Sequence, residues 1–426
     1  MPGVNAATVT RNRAACAAWQ AFAEWLARAA GWASRRAGRG SGLVITGRVL
    51  TALSPRSVSR LAAGRRIVLV SGTNGKSTTA RLLAAAWAEQ GPVTANRDGA
   101  NLMAGIASTL LQSSHERVVL EVDEVALPAV IELTKPELVV LLNLARDQLD
   151  RVGEVSSHVR GWQRVLRRTA VGTLVVNADD PLLVSAVEGA ASKVAWVGAG
   201  LTWREDARGC RRCGQPITFE DHDWWCDSCG LRRPPVQAVR SGNTLCIDGG
   251  PSLGLDLDLP GDWNRANAAI AVVAARALGV DPVIALEHMR QVRDVNGRYA
   301  QGSIDGHEVR LLLAKNPAST GSILDLLLET QHPIVFVFNA GAADGRDPSW
   351  LWDVPFERLS GRRVVVTGRR AADLSVRLRY AQVEHEVADD LPNALRVLGP
   401  GLCDVVANYT AFATTKQQLQ RTGGGS

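Results

Sequence analysis

One stretch, residues 67–79 (IVLVSGTNGKSTT), restricts the possible folds of this chain more than any other. The four apolar residues 67–70 predict a buried parallel strand, and the apolar run ARLLAAAWAEQ that follows Thr79 predicts a helix. A glycine-bearing turn joins the two, which is the arrangement that binds phosphate through backbone N–H groups and a helix N-terminus. The sequence therefore predicts an α/β fold organised around a phosphate-binding turn.

The residue types in this turn suit phosphate binding. Gly72 and Gly75 allow the backbone to curl so that its N–H groups face an anion. Lys76 supplies a positive charge for the outer phosphates, and the hydroxyl of Ser77 is a predicted Mg²⁺ ligand. Two residues separate the glycines, fewer than in the common phosphate loop, so an ordinary strand–helix turn rich in small residues is the alternative. The predicted nucleotide-binding residues of the turn are Gly72, Thr73, Asn74, Gly75, Lys76, Ser77 and Thr78.

The composition is that of a globular protein with room for two or three domains. The 426 residues are 46% hydrophobic and 21% charged, with a net charge of +6 and a pI near 9.1. This mild excess suits anionic partners such as a nucleotide, nucleic acid or a membrane face, although a solvated arginine-rich surface is the plainer explanation. No apolar run approaches the roughly 20 residues that span a bilayer, and charged residues interrupt the N-terminus where a signal peptide would be apolar.

The pattern of apolar runs divides the chain into segments. Residues 12–37 predict one or two amphipathic helices whose aromatic stripe is expected to pack against the core, with an anionic membrane face as the alternative. From residue 66 onward strands and helices alternate, which predicts a mostly parallel sheet covered by helices on both faces. The expected segments are a helical 1–45, a central ATP-binding domain 46–298 with a cysteine-rich insertion at 203–238, a smaller Rossmann-like α/β domain 299–421 and a flexible tail 422–426.

Acidic and amide side chains follow two successive predicted strands. Glu121 ends one apolar strand, and Asn143, Asp147 and Asp150 follow the next. Because the carboxyl ends of parallel strands meet at one edge of a sheet, we expect these groups near the phosphate turn, with Glu121 as a second Mg²⁺ ligand. Each carboxylate taken singly is more simply a helix cap or a solvated group. Their occurrence at successive strand ends predicts a nucleotide–metal crevice.

Four of the seven cysteines form one cluster, Cys210-x2-Cys213-x12-Cys226-x2-Cys229. Two such pairs can supply tetrahedral thiolate coordination, which predicts a structural Zn²⁺ ribbon. Two disulfides are the alternative, but the other three cysteines stand alone, as reduced thiols in the cytoplasm would. The acidic stretch TFEDHDWW between the two pairs disfavours binding of nucleic acid.

Further motifs lie near a helix start and at the predicted domain junction. Asn264 and Asn267 are one helical turn apart, where paired amides can bind an adenine edge, although an N-cap and a surface amide are the plainer interpretation. Arg298 would place a guanidinium on the phosphates from the junction. Lys315 follows the first predicted strand of the last domain.

Together these motifs resemble the Mur ligases, a family of ATP-dependent carbon–nitrogen ligases. SGTNGKSTT resembles the short phosphate loop of that family, NLARDQLD its Asn…Asp-His-x-Asp motif, GDWNRANAAIA its adenine-contacting helix and NGR its γ-phosphate arginine. Glu121 falls where the family has its Mg²⁺-binding glutamate. The match covers residues 66 to about 320. It implies the Mur-ligase fold, ATP with Mg²⁺, and catalytic roles for Lys76, Glu121 and Arg298.

Within that family the chain resembles the MurT subunits of lipid II isoglutaminyl synthase more than it resembles the ligases that add amino acids. It is expected to lack the UDP-binding N-terminal domain of ordinary Mur ligases, it carries the four-cysteine insertion, and LAKNPAS and NAGAADGRDPSWLWDVPFE resemble C-terminal MurT motifs. The resemblance implies that ATP phosphorylates the α-carboxylate of D-Glu in the lipid II stem peptide and that ammonia converts the acyl phosphate to D-isoglutamine. It implies a cytoplasmic protein, with contact at the inner membrane face left open.

The resemblance also implies a partner, a glutaminase subunit with a Cys–His pair that supplies the ammonia. In that family the Mur-like subunit donates an aspartate that completes the partner's triad, and this position corresponds to Asp347. Asp344 and Asp353 are the nearest competitors. Without the resemblance, Asp347 is more simply the cap of a turn beside Pro348.

Some positions depart from the family pattern. Gln148 replaces a Mg²⁺-binding histidine, and residues 155–168 contain no lysine where many Mur ligases carry a carbamylated one, so a second Mg²⁺ is not implied. Leu312 and Lys315 replace a ribose-binding aspartate and a histidine, as in MurT-like chains. Two rival functions follow: a folylpolyglutamate synthase-like ligase that adds an amino acid, and a zinc-ribbon ATPase that binds nucleic acid in a salt-sensitive manner.

Overall fold

The structure, a computed structural model, describes residues 6–38, 40–96, 99–147, 154–292, 299–339, 344–345 and 347–422. Three helices precede the first strand: α1 (Ala6–Arg36), α2 (Leu43–Leu53) and α3 (Ser57–Ala62). α1 is one continuous helix where the sequence predicted one or two. The boundary expected near residue 45 falls in the first turn of α2.

The central part alternates strands and helices as predicted. Its elements are β1 (Arg66–Ser71), α4 (Lys76–Trp87), β2 (Val93–Ala95), α5 (Met103–Gln112), β3 (Arg117–Glu121), α6 (Leu127–Thr134), β4 (Leu138–Leu141), α7 (Val155–Arg168), β5 (Thr173–Asn177), α8 (Pro181–Ala186), β6 (Lys193–Gly198), β7 (Thr218–Glu220), β8 (Asp223–Trp225), β9 (Ala238–Ser241), β10 (Thr244–Ile247), β11 (Leu253–Gly254), α9 (Asp262–Ala277) and α10 (Pro282–Arg290).

Nine of these strands form one sheet in the order β11-β10-β9-β6-β5-β4-β1-β3-β2. Neighbours from β9 to β2 are parallel, which confirms the predicted sheet, while β10 runs antiparallel to β9 and β11. β1 lies between β3 and β4, with Leu69 paired to Leu120 on one side and to Val139 on the other. The sheet therefore has a switch point at the carboxyl end of β1, which is where ligands bind in open α/β sheets.

The parallel strands are buried on both faces because apolar helices cover each side. Leu69 and Leu120 face the side covered by α5 and α6, and Val68 and Val70 face α4 and α9. Three alanines on one face of α9 are fully buried in this second layer, which lets the helix lie close to the sheet: Ala268, Ala271 and Ala275.

The cysteine-rich insertion forms part of the connection from β6 to β9. Its strands β7 and β8 pair as an antiparallel hairpin separate from the main sheet. The buried indole of Trp224 donates from Nε1 to the carbonyl oxygen of Ala178 at 3.0 Å, which attaches the insertion to the central domain.

The remaining elements form a second, six-stranded sheet in the order β12-β13-β17-β14-β15-β16, in which β12 alone is antiparallel to its neighbour. β12 was not predicted, because its sequence YAQGSI lacks a continuous apolar run. The elements are β12 (Tyr299–Ile304), β13 (His307–Leu313), α11 (Pro317–Glu329), β14 (Ile334–Val337), β15 (Val364–Thr367), α12 (Ala371–Tyr380), β16 (His385–Val387), α13 (Leu391–Leu398), β17 (Leu402–Ala407) and α14 (Tyr409–Thr422).

The aromatic stripe of α1 is not core, which corrects the expectation from the sequence. The helix packs on the rest of the protein through its small residues Ala23 and Ala27, which are fully buried. Its large side chains are exposed: Trp19 (51%), Phe22 (46%), Trp25 (63%) and Trp32 (57%). No helix among the described residues is both long and apolar enough to cross a bilayer.

Candidate active site

The phosphate turn leaves β1 and enters α4 through two glycines with positive φ angles. Gly72 has a φ of 141° and Gly75 a φ of 87°, values that favour glycine. A Cβ at Gly75 would lie 2.3 Å from Oδ1 of Asn267, and one at Gly72 would lie 2.9 Å from the carbonyl oxygen of Asn143. Glycine is therefore needed at both positions for backbone shape and for space, which favours a phosphate loop over an ordinary turn.

Hydrogen bonds to the chain beyond β4 hold the loop in place. Thr73 donates from its backbone N to the carbonyl oxygen of Asn143 at 2.9 Å, and its hydroxyl exchanges two bonds with the backbone of Ala145 at 3.0 and 3.1 Å. Asn74 donates from its backbone N to Oδ1 of Asn143 at 2.9 Å and accepts from Nδ2 of the same side chain at 3.0 Å. The loop is thus preorganised by the neighbouring strand, which lowers the cost of binding an anion.

Lys76 lies buried inside the loop and pairs with Glu124. Its Nζ donates to the carbonyl oxygens of Gly72 (2.6 Å) and Thr73 (3.3 Å) and to Oε2 of Glu124 (2.8 Å). Burial alone would lower the pKa of Lys76, but the charges of Glu124 and Glu121 outweigh it and raise that pKa above its usual value. Burial alone would likewise raise the pKa of Glu124, but the positive charge of Lys76 lowers it. Both groups are therefore ionised at neutral pH.

Glu121 ends β3 and is oriented by two asparagines. Its backbone N donates to Oδ1 of Asn96 at 2.8 Å, and Nδ2 of Asn96 returns a bond to the Glu121 carbonyl oxygen at 2.8 Å. Nδ2 of Asn101 donates to Oε1 of the Glu121 carboxylate at 3.0 Å. Neither asparagine was predicted from the sequence, because their only signal is the polar stretch NRDGAN between β2 and α5.

Two residues of the C-terminal domain reach the phosphate loop. Lys315 forms an ion pair with Asp147 and donates from Nζ to the carbonyl oxygen of Thr73 at 3.2 Å. The amides of Asn74 and Asn316 bond each other at 3.3 and 3.4 Å. The site is therefore shared between the two domains. Lys315, which the sequence showed only to follow the first predicted strand of the last domain, belongs to it.

The residues around the loop fit a magnesium nucleotide. Oδ1 of Asp147 is buried and has no hydrogen-bond partner among the described residues, although buried carboxylate oxygens are normally paired. Ser77 is half-buried in the first turn of α4, and Glu121 is close enough to Lys76 to raise its pKa. These are oxygen donors, the type that Mg²⁺ prefers. With the glycine cradle at Gly72 and Gly75, the residues fit a triphosphate and its metal.

A pocket opens beside the loop between the central sheet and the C-terminal domain. Nδ2 of Asn264 donates to the carbonyl oxygen of Pro260 at 2.6 Å, and Asn267 lies against Gly75, so the predicted adenine-binding pair is next to the phosphate loop. Arg298, Gln148 and Asp150 lie outside the described residues, so their predicted roles stay predictions. Residues from both domains line the pocket, among them Asn74, Gly75, Asn264, Asn267, Leu312 and Ser319.

The four clustered cysteines converge at the tip of the insertion. Their Sγ atoms all lie within 4.8 Å of one another, with 3.5 Å between Cys210 and Cys229 and between Cys213 and Cys226. Tetrahedral Zn²⁺ with Zn–S bonds of about 2.3 Å requires S–S distances of roughly 3.8 Å, so the cluster fits one ion. All four are free thiols rather than disulfides.

The three candidate partner-facing aspartates have different environments. Asp347 is exposed and accepts from the backbone N and the hydroxyl of Ser349, both at 2.9 Å, and these bonds hold its pKa below the usual value. Asp344 is buried and accepts from the backbone N (2.8 Å) and the hydroxyl (2.6 Å) of Thr410 at the start of α14. Asp353 pairs with Arg146 at 3.2 Å. Asp347 is therefore exposed, as Asp353 is and Asp344 is not, and it also caps a turn, as its sequence context suggested.

Comparisons with known proteins agree with this geometry. Residues 70–212 match the Mur ligase middle domain family, and residues 313–412 match the MurT ligase C-terminal family. The MurT subunit of the glutamine-hydrolysing lipid II isoglutaminyl synthase from Staphylococcus aureus (strain COL) is 30% identical over 94% of this chain and 98% of its own length. The corresponding subunit from Streptococcus pneumoniae (strain R6) is 28% identical over 90% of this chain and 93% of its own length.

Solved structures support the same fold at lower identity. A pseudomurein peptide ligase type C from Methanothermus fervidus superposes with a TM-score of 0.65 at 18% identity, covering 84% of this chain and 79% of its own. The predicted Mur-ligase-like α/β fold with parallel sheets is confirmed. Because a MurT subunit is 30% identical and is matched over nearly its whole length, the chain belongs to the MurT family.

Proposed function

We propose that this chain is the synthase subunit of a glutamine-hydrolysing lipid II isoglutaminyl synthase, which amidates the α-carboxylate of D-Glu in the lipid II stem peptide. The observation that carries the proposal is the contact of Lys315 and Asn316 with the phosphate loop, because it joins the Mur-ligase nucleotide site to the domain that matches MurT. The chain is thus an ATP-dependent carbon–nitrogen ligase that acts in peptidoglycan synthesis.

The chemistry needs an activated acid, since a carboxylate and ammonia do not condense unaided in water. A carboxylate oxygen of the substrate attacks the γ-phosphorus of ATP, the bond to ADP breaks, and an acyl phosphate forms. The nitrogen of ammonia then attacks the acyl carbon, phosphate leaves with its bonding pair, and a proton is lost to give the amide. The contact of Lys315 with the loop supports closure of the two domains over the substrate, which would keep out water that hydrolyses the acyl phosphate.

Charge at the loop stabilises the phosphoryl transfer. Lys76 provides a permanent ammonium among the backbone N–H groups, and Arg298 is proposed as a second cation on the γ-phosphate. Mg²⁺, which Ser77 and Glu121 would hold, supplies positive charge that neutralises the phosphates. Asn264 and Asn267 are proposed to bind the adenine.

Amidation of purified lipid II with ATP and ammonium, followed by mass spectrometry of the stem peptide, tests the function. Lys76→Ala is expected to abolish amidation, whereas Lys193→Ala, which removes an exposed lysine, leaves it intact. Transfer of an amino acid instead of ammonia would refute the proposal in favour of a folylpolyglutamate synthase-like ligase.

We propose further that a separate glutaminase subunit supplies the ammonia and that Asp347 orients the imidazole of its Cys–His pair. With both subunits present, Asp347→Asn should leave ammonium-driven amidation unchanged and abolish glutamine-driven amidation. Asp389→Asn, which removes another exposed carboxylate of the C-terminal domain, is the matched control and should support both. Equal loss of both activities in Asp347→Asn would contradict the triad role.

The finer architecture also belongs to this proposal. We propose that the four cysteines hold one structural Zn²⁺ in a ribbon at 203–238, and that the chain divides at about residues 45 and 298, with the domain 299–421 contacting the glutaminase. We place the protein in the cytoplasm, where ATP is available and thiols stay reduced. Lipid II is the proposed substrate, and nucleic acid is not expected to bind.

A further inference from the structure

Helix α1 buries small residues and exposes large ones. Ala23 and Ala27 are fully buried, and Gly31 packs so closely on α2 that a Cβ there would lie 2.0 Å from the hydroxyl oxygen of Thr46. A surface helix normally turns its apolar stripe to the core. Here four aromatic side chains face solvent instead, and we name them the aromatic face: Trp19, Phe22, Trp25 and Trp32.

The aromatic face belongs to a helix that is fixed to the domain. The guanidinium of Arg28 donates to the carbonyl oxygen of Leu111 in α5 at 2.9 Å, and Glu24 pairs with Arg60 of α3 at 2.5 Å. α2 packs in turn on α5, where a Cβ at Gly47 would lie only 1.7 Å from a backbone oxygen. The exposure of the aromatic face is therefore a property of the packed structure.

This part of the chain is strongly basic. Residues 1–65 contain ten arginines, no lysine and one acidic residue, Glu24, whereas the other 361 residues contain 38 basic and 41 acidic side chains. Glu24 is already paired with Arg60. Arg35 and Arg36 are exposed in the last turn of α1, and the Arg36 guanidinium lies 5.5 Å from the ring centre of Trp32. The charge complements an anionic surface.

We propose that the aromatic face of α1 and its flanking arginines dock the protein on an anionic lipid bilayer, with the helix lying in the headgroup region. Tryptophan prefers this interface, and helices that lie in it combine an aromatic side with arginines. The occupant is a membrane rather than a second copy, since two such basic segments would repel each other. This inference rests on the proposed function, because docking brings the site to the membrane that carries lipid II.

Packed helices connect the aromatic face to the site. α1 packs on α2, α2 packs on α5, and Asn101, just before α5, donates to the carboxylate of Glu121. Docking through α1 would therefore anchor the domain that carries Glu121 at the bilayer surface, where the stem peptide of a lipid-linked substrate is presented.

Flotation of the full chain with vesicles tests the proposal. Vesicles of phosphatidylcholine and phosphatidylglycerol should bind the protein, and phosphatidylcholine alone should bind it much more weakly. Trp25→Ser/Trp32→Ser should weaken binding about tenfold or more, and Arg35→Gln/Arg36→Gln about fivefold for each arginine removed. Tyr380→Ser, which removes an exposed aromatic from α12, is the matched control and should bind like the unaltered protein. Thermal unfolding shows whether each variant folds.

Equal vesicle binding by the tryptophan variant and the control would overturn the inference. The inference would also be overturned if the tryptophan variant bound vesicles normally but lost self-association or co-purification with the glutaminase. A second copy or the glutaminase, and not a membrane, would then cover the aromatic face. Amidation of a soluble, short-chain lipid II analogue separates the two proposals. The tryptophan variant should amidate it normally, and failure of the unaltered protein to do so would refute the proposed function while leaving the vesicle result as it stands.

Discussion

Replacing Glu124 by glutamine should destabilise the free protein and tighten its binding of nucleotide. Glu124 is the charged partner of Lys76, and both side chains are nearly inaccessible, at 6% and 4% exposure. The glutamine side chain would keep a hydrogen-bond acceptor of the same size and remove the negative charge. The substitution therefore isolates the ion pair from packing.

The size of the effect follows from the 2.8 Å separation of Nζ and Oε2. At an effective dielectric constant of about 20, this distance corresponds to about 6 kcal/mol of attraction before desolvation. Removing one partner of a buried pair typically costs about 3–5 kcal/mol, because the other charge stays buried. Lys76 retains the carbonyl oxygens of Gly72 and Thr73, so we expect the lower end, about 3 kcal/mol. For a domain of this size, that lowers Tm by roughly 6–12 °C.

Nucleotide binding should change in the opposite direction. To contact a phosphate, Lys76 gives up part of its interaction with Glu124, and the carboxylate itself repels the phosphates. Glu124→Gln removes both costs, so the Kd for a non-hydrolysable ATP analogue should fall several-fold.

Urea unfolding and isothermal titration calorimetry measure the two effects. Asp123→Asn is the control, because it neutralises the adjacent carboxylate, which is less buried than that of Glu124. The asparagine amide oxygen can still accept the hydrogen bond from the backbone N of Val125. Surface substitutions typically change the free energy of unfolding by no more than about 0.5 kcal/mol. A change that small in Glu124→Gln would refute the ion-pair argument. Weaker nucleotide binding would refute the proposed competition.

Four further outcomes are expected. The pKa of Glu124 is lowered and that of Lys76 is raised, so both groups stay charged from pH 6 to 9. The difference in unfolding free energy between the unaltered protein and Glu124→Gln should therefore be constant over that range. It should shrink as the pH falls below about 4.5, the usual carboxyl value, as urea unfolding at each pH would measure. Asn267→Leu should raise KM for ATP about tenfold with little effect on folding, as steady-state kinetics would show. Lys315→Met should lower kcat, because it removes the contact between the domains, while calorimetry shows nucleotide affinity changed less. Cys213→Ser or a strong chelator should remove about one zinc per chain, measured by elemental analysis, and lower Tm.

That most of the candidate site residues would lie close together was predictable from the sequence, because their signals are local. The glycines of the phosphate loop, Glu121 and Asn267 each occupy a strand end or a helix start, and a parallel sheet brings those points together. Asn96 and Asn101 were not predictable, since they act on Glu121 from a loop that carries no motif. The partner of Lys76 was also missed, because Glu124 is one of three acidic residues in the stretch EVDE (121–124) and nothing in the sequence singles it out.

Helix α1 shows a different limit of sequence patterns. The spacing of Trp25 and Trp32 predicts that they share a face, but it does not say whether that face points inward. The rule that large apolar residues lie inside failed because Ala23, Ala27 and Gly31 allow closer packing between helices than aromatic side chains would. The small residues on the opposite face of α1 were the one sequence signal that this face, and not the aromatic one, packs against the protein.

The position of the cysteine-rich insertion follows from contacts around Arg146. This residue lies between Ala145, which holds the loop residue Thr73, and Asp147, and it donates from its backbone N (2.9 Å) and from Nε (2.5 Å) to Asp206 at the base of the insertion. The same guanidinium pairs with Asp353, at the end of the short turn that Asp347 caps. One arginine therefore joins the nucleotide site, the insertion and the turn proposed to face the glutaminase. Because these contacts share one residue, the insertion is linked through Arg146 to both the central and the C-terminal domain.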